Sequence, residues 1–147
     1  FKKIVIMNGH GGNTNAISQA IREIRDETGE IVYSLMVFPM EKGFGSESLK
    51  IIKQEGGGHA CEMETSVALY LGERVLPGKA EKWKQPSSWT DFDIKYRGKV
   101  TTARDFHETT EIGSLGDPTM ATKEKGRQIV EALVDEISEF IEDLKAK

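Results

Sequence analysis

The chain has 147 residues, of which 37% are hydrophobic and 30% charged. That is enough for one domain of ordinary globular composition, and it excludes a disordered tail. Lys and Arg number 20 against 24 Asp and Glu, a net charge of −4, which argues against a nucleic-acid surface and against a polybasic membrane module. The single cysteine, Cys61, excludes an internal disulfide framework and fits a reducing, cytoplasmic setting.

The first residue is Phe1 rather than Met, and Lys2-Lys3 lead straight into Ile4-Val5-Ile6-Met7. The run is too short for a signal-peptide core. It reads as a buried strand entered without preamble, as if an upstream segment were missing. Processing of an initiator Met is the less favoured alternative.

Asn8-Gly9 end this strand, and Asn13 or Thr14 is placed to cap a helix. Ala16, Ile17, Ala20, Ile21 and Ile24 repeat there at helical spacing until Gly29. Residues 31–38 form a second, almost wholly apolar strand closed by Pro39. Strand, helix and apolar strand predict a parallel sheet covered on both faces, the α/β class. A short helix is predicted around 46–54. A second runs from Glu62 to Leu71, with Val67, Ala68 and Leu71 inward and Gly72 as its stop. From Glu73 to Arg104 the pattern is weak, with Trp83 and Trp89 in a long loop or small excursion that shapes a pocket or an interface. Asp117-Pro118 then predict the opening of a last helix lined by Ile129, Leu133, Ile137, Ile141 and Leu144.

Three histidines are available to chemistry. His10 stands in Asn8-Gly9-His10-Gly11-Gly12-Asn13, just past a strand and before a helix, where open α/β sheets bind ligands. It is either a ligand or catalyst, or a capping or packing residue. The same glycine-rich turn can cradle a phosphate, although neither the dinucleotide nor the P-loop spacing is present. His59 follows Gly56-Gly57-Gly58 and precedes Ala60-Cys61-Glu62-Met63-Glu64-Thr65-Ser66. Glu62 and Glu64 are two apart and do not share a helix face, so at most one joins His59 in a site. Both also suit the positive end of the helix dipole. Cys61 reads as a small buried residue. His107 reads as a solvated loop residue, and Asp117 as a helix cap.

Imidazole and carboxylate are the ligands of zinc and manganese, and a catalytic zinc takes about three protein ligands. His10 and Glu62 are two good metal candidates, with His59 as a proton carrier. The shortfall predicts that the remaining ligands come from a missing N-terminal segment or a partner chain.

NGHGGN after a strand, GGHACEMETS, and GSLGDPTMATKEKG ahead of the last helix together resemble the creatininase (creatinine amidohydrolase) family. The three blocks occur in the family's order over most of the chain. The resemblance implies a three-layer α/β/α sandwich with a mainly parallel central sheet, here as one domain, 1–147, without its upstream part. It also implies a divalent metal (zinc or manganese, with iron as a further choice), an oligomer, and hydrolysis of non-peptide C–N bonds. On the matching positions His10 and Glu62 are implied as metal ligands and His59 as the residue that transfers a proton, with Glu64-Thr65-Ser66 structural. In creatininase proper a Tyr and a ligating Glu follow the first His, where this chain has Gly11 and Gly12, and no Trp precedes His59. Those differences point away from creatinine. Relatives with the Gly-Gly pattern include a deformylase of a formylaminopyrimidine nucleotide and a peptidase that trims a peptide-derived cofactor.

The expected function is therefore metal-assisted hydrolysis of a small-molecule amide or formamide, without nucleic acid or membrane. The alternatives are a non-catalytic or incomplete subunit of the same fold, a nucleotide- or phosphate-binding domain, and a closed structural metal site.

Overall fold

A computed structural model describes residues 3–39, 41–54 and 58–147. The opening at Phe1 and the first two glycines of the Gly56–Gly58 run lie outside these. Strand β1 (Ile4–Asn8) is followed by a single 3-10 turn, helix α1 (Thr14–Thr28) and strand β2 (Val32–Met36). The strands pair in parallel from Ile4 opposite Val32 to Asn8 opposite Met36, with α1 as the crossover that parallel pairing requires. The α/β pattern is thus observed. Ile17, Ile21 and Ile24 form the half-buried line of α1, and Gly29 closes it in the left-handed conformation at φ 75°, as a C-terminal glycine should.

The strand expected to be buried is partly open. Ile4 is 42% and Met7 59% exposed. Among the described residues β2 is the only strand paired with β1, so the other edge of β1 has no described partner.

The short helix predicted around 46–54 is a 3-10 segment, Ser46–Ile51. Helix α2 (Glu62–Leu71) ends at Gly72 as expected, but its inward face differs from the prediction. Its buried residues are Glu62 and Ser66, while Leu71 is 60% exposed. The weak region contains helix α3 (Asp91–Tyr96), opened by a Thr90–Asp93 capping box. Next comes the one-turn helix α4 (Phe106–Thr109), boxed by Asp105 and Glu108. His107 is exposed as expected, but it sits in α4 rather than in a loop. Asp117 does cap, but the element it caps is the 3-10 turn Pro118–Met120, through Thr119 N–H at 3.1 Å. The last helix, α5 (Lys123–Ala146), starts later, where Thr122 Oγ1 accepts from Lys125 N–H at 3.2 Å.

The chain divides into two compact units, residues 1–50 with 128–147 and residues 51–127. In the first unit Val32, Leu35, Ile129, Leu133 and Leu144 are buried, and Phe140 packs against Tyr33 and Phe44 at ring distances of 6.2 and 5.7 Å. This is an apolar core of the kind that supplies most folding free energy. In the second unit the buried residues other than Pro86 and Gly126 are Cys61, Glu62, Ser66, Thr110, Ser114 and Asp117. Five of these six are polar, so they need partners.

Candidate active site

In the first unit, Asn8 organises the turn after β1. Its buried side-chain oxygen accepts from His10 N–H at 3.1 Å and from Asn13 Nδ2 at 3.4 Å. His10 caps the following 3-10 turn, Nδ1 accepting Gly12 N–H at 3.0 Å. The ring is exposed, and these contacts all fall within six residues.

The second unit gathers two of the three motif blocks. Gly58 N–H donates to Leu115 O at 2.8 Å and Leu115 N–H donates to His59 O at 2.7 Å. This short antiparallel bridge ties the GGHACEMETS block to the GSLGDPTM block. The His59 ring meets Phe106 of α4 edge-on, with centroids 5.0 Å apart at 86°. Phe106 is itself held indirectly by the tryptophans. Trp83 Nε1 donates to Thr109 O and Trp89 Nε1 to Glu108 O, each at 3.0 Å. The Arg97 guanidinium lies 4.6 Å from the Trp83 ring centre, a cation–π contact. The tryptophan segment thus anchors the helix that flanks His59.

Glu62 opens α2 with a fully buried side chain. Its Oε2 accepts Lys53 N–H at 2.9 Å and Gln54 N–H at 2.7 Å, and its Oε1 accepts from Lys125 Nζ. Lys125 also donates to Met120 O at 2.8 Å. Burial alone pushes this carboxyl upward. The Lys125 hydrogen bond, the two backbone N–H donors and the ammonium charge outweigh it and hold the group below the usual carboxylate range. Gln54 Oε1 accepts from Glu62 N–H at 3.0 Å and from Asp117 N–H at 2.7 Å, fastening the two blocks a second time.

Ser66 makes a third fastening. Its hydroxyl donates to Glu62 O at 2.6 Å and accepts from Thr122 N–H at 3.1 Å. Beside it, Gly126 of α5 lies flush against α2, since a Cβ there would stand 1.9 Å from Ser66 O. No side chain fits that spacing. Among the described residues, no buried side-chain nitrogen or oxygen lacks a partner.

The sequence reading did not single out Gln54, Ala60, Phe106, Leu115 or Lys125. Lys125 sits inside a quoted motif, but its pairing with Glu62 spans 63 positions, and no local spacing rule reaches that far. His59 and Glu62 lie in one unit and His10 in the other. No group of three His, Cys, Asp or Glu side chains able to hold a metal ion occurs among the described residues. Both Glu62 oxygens are engaged, as is His10 Nδ1. The described residues supply ligand types suited to zinc or manganese, but they do not close a metal site by themselves.

Comparison with known proteins decides the family. The family described as creatinine amidohydrolase (creatininase) matches residues 1–141. The chain belongs to the creatininase family. Its curated relatives include the mycofactocin precursor peptide peptidase of Mycobacterium tuberculosis (strain CDC 1551 / Oshkosh), 30% identical over 92% of this chain and 46% of the relative. The enzyme of that name from Mycobacterium ulcerans is 32% identical over 91% and 46%. Among solved structures, a Bacteroides fragilis protein named for creatinine amidohydrolase superposes with a TM-score of 0.76 at 25% identity, covering 97% of this chain and 54% of that one. A mutant creatininase complexed with creatine shares the fold at a TM-score of 0.63 and 24% identity, over 97% and 56%. The chain spans about half the length of the curated relatives it matches. Creatininase-family structures therefore bear out the α/β fold expected from the sequence. Among the described residues, no helix is long and apolar enough to cross a membrane.

Proposed function

We propose that this chain is part of a creatininase-family hydrolase that cleaves an amide or formamide C–N bond with water. One observation carries the reading. His59 lies where two family blocks are bridged through Leu115, with its ring against Phe106, beside a helix that opens on a buried glutamate. An imidazole changes charge near neutral pH, which suits it to carry a proton to the leaving nitrogen.

His10 and Glu62 are proposed as the residues this chain lends to a divalent ion, zinc or manganese, completed by ligands from outside the described residues. Ligation by Glu62 would require its carboxylate to give up the Lys125 ammonium, and a divalent cation would supply the positive charge in its stead. The substrate class is a small amide. The named relatives include peptidases, so a peptide-derived amide stands beside a formamide. A cytoplasmic homo-oligomer is the accompanying proposal.

The test is hydrolysis of a panel of formamides and short peptides by the protein at its natural length. His59→Ala should lower turnover by roughly 10²–10⁴-fold, the range for loss of a general acid–base group. Unchanged turnover in His59→Ala would remove the residue from the mechanism. Absence of hydrolysis in the metal-supplemented parent would favour the non-catalytic subunit.

A further inference from the structure

The residue after His59 has an uncommon backbone. Ala60 has φ 44° and is the only non-glycine with positive φ among the described residues. That left-handed region crowds a Cβ against the backbone. Such conformations persist only when their surroundings hold them, and they concentrate at functional sites. Ala60 is exposed, so no side-chain packing accounts for it. What holds it is hydrogen bonding from α2. Glu64 Oε2 accepts Ala60 N–H, and Thr65 Oγ1 donates to Ala60 O at 3.3 Å. The Glu64 bond is charge-assisted, hence among the stronger kinds. On the other side of the turn, His59 is gripped by the Leu115 bridge and its ring meets Phe106. The left-handed residue therefore joins a fixed histidine to a fixed helix start.

We propose that Glu64 is a positioning residue for His59: by accepting the Ala60 N–H it holds the left-handed turn that sets the imidazole against Phe106. This gives a task to a glutamate that the sequence assigned only to structure. The proposal rests on the reading of His59 as the proton carrier, but its geometry can be tested apart from that reading.

The experiment is proton–carbon NMR of the full chain carrying 13C-labelled histidine. The His59 ring signal is assigned by its loss in His59→Ala, and Phe106→Leu marks its position without the aromatic neighbour. Glu64→Ala should shift the signal toward the Phe106→Leu position. Glu64→Gln should leave it near the parent position, because the amide oxygen accepts the same N–H. Combining Glu64→Ala with Ala60→Gly should restore it, because glycine adopts positive φ without a brace. A signal unmoved by Glu64→Ala, or not restored by Ala60→Gly, overturns the proposal and leaves Glu64 as a helix-end charge. Should Glu64→Ala fail to fold, Ala60→Val makes the turn costlier with Glu64 in place and must shift the same signal; an unmoved signal again overturns it. If the shifts appear but His59→Ala hydrolyses amides like the parent, the positioning stands and the proton-carrier reading fails.

Discussion

The two glycine-rich turns look alike in sequence, each placing a histidine ahead of a helix, and they are built differently. The His10 turn is closed by Asn8 and Gly12, its immediate neighbours, and leaves its ring exposed. The His59 turn is tied to Leu115, Phe106, Gln54 and, through Glu62 and Ser66, to Lys125 and Thr122. The units around them differ in the same way. One buries mainly aliphatic side chains, with Asn8 and Ser48 as its buried polar residues, and the other buries mainly polar side chains, Glu62, Ser66 and Asp117 among them linked by hydrogen bonds through Gln54. An apolar core tolerates exchange of similar volumes. A buried polar network holds only while each member keeps its partner.

That contrast predicts where substitutions matter, and the largest effect is expected at Lys125. In the metal-free protein, removing its ammonium leaves the Glu62 charge buried without its cation, so Lys125→Ala should cost about 3–5 kcal/mol in denaturant unfolding after chelation. The sign of the pH dependence follows from Glu62. Its carboxyl is held in the folded chain below the ordinary glutamate value of about 4.3. Its contribution is therefore fully present above that value and is lost as pH falls through the lower folded value. In Lys125→Ala burial is less opposed, so the acid loss should begin at higher pH. An acid profile identical to the parent's would mean that the pair does not govern it.

Gly126→Ala comes next. Alanine is normally the better helix former by about 1 kcal/mol, but here its Cβ has to displace the α2 backbone. A net loss of about 1–3 kcal/mol is expected from overpacking, read as a lower unfolding midpoint. A gain would show that the two helices separate freely. The smallest effect belongs to His10→Ala. An exposed side chain with a local cap should change stability by no more than about 0.5 kcal/mol. A loss comparable to that of Lys125→Ala would erase the contrast between the turns.

Much of the fold was legible because periodicity is local. Ile17, Ile21 and Ile24 mark α1, Ile129, Leu133 and Leu144 mark α5, and Gly29 and Gly72 end their helices where the pattern stops. The cap at Asp117 was legible in kind but fell on a different element, since a 3-10 turn and a helix start share the same Asp-Pro signal. Helix α4 is a single turn and too short for periodicity to register. In the site, His10, His59 and Glu62 stood out as chemistry beside glycine. The burial of Glu62, its pairing with Lys125 and the left-handed Ala60 did not, because the first two are set by distant partners and the third by side chains of the following helix.

The most direct test of the account is metal content per chain, measured by elemental analysis on the protein at its natural length and on three variants. The account predicts roughly one or two divalent ions in the parent and in His59→Ala, and their loss in His10→Ala and Glu62→Ala. Metal retained in Glu62→Ala but lost in His59→Ala would contradict it, making His59 the ligand and leaving Glu62 as the buried partner of Lys125.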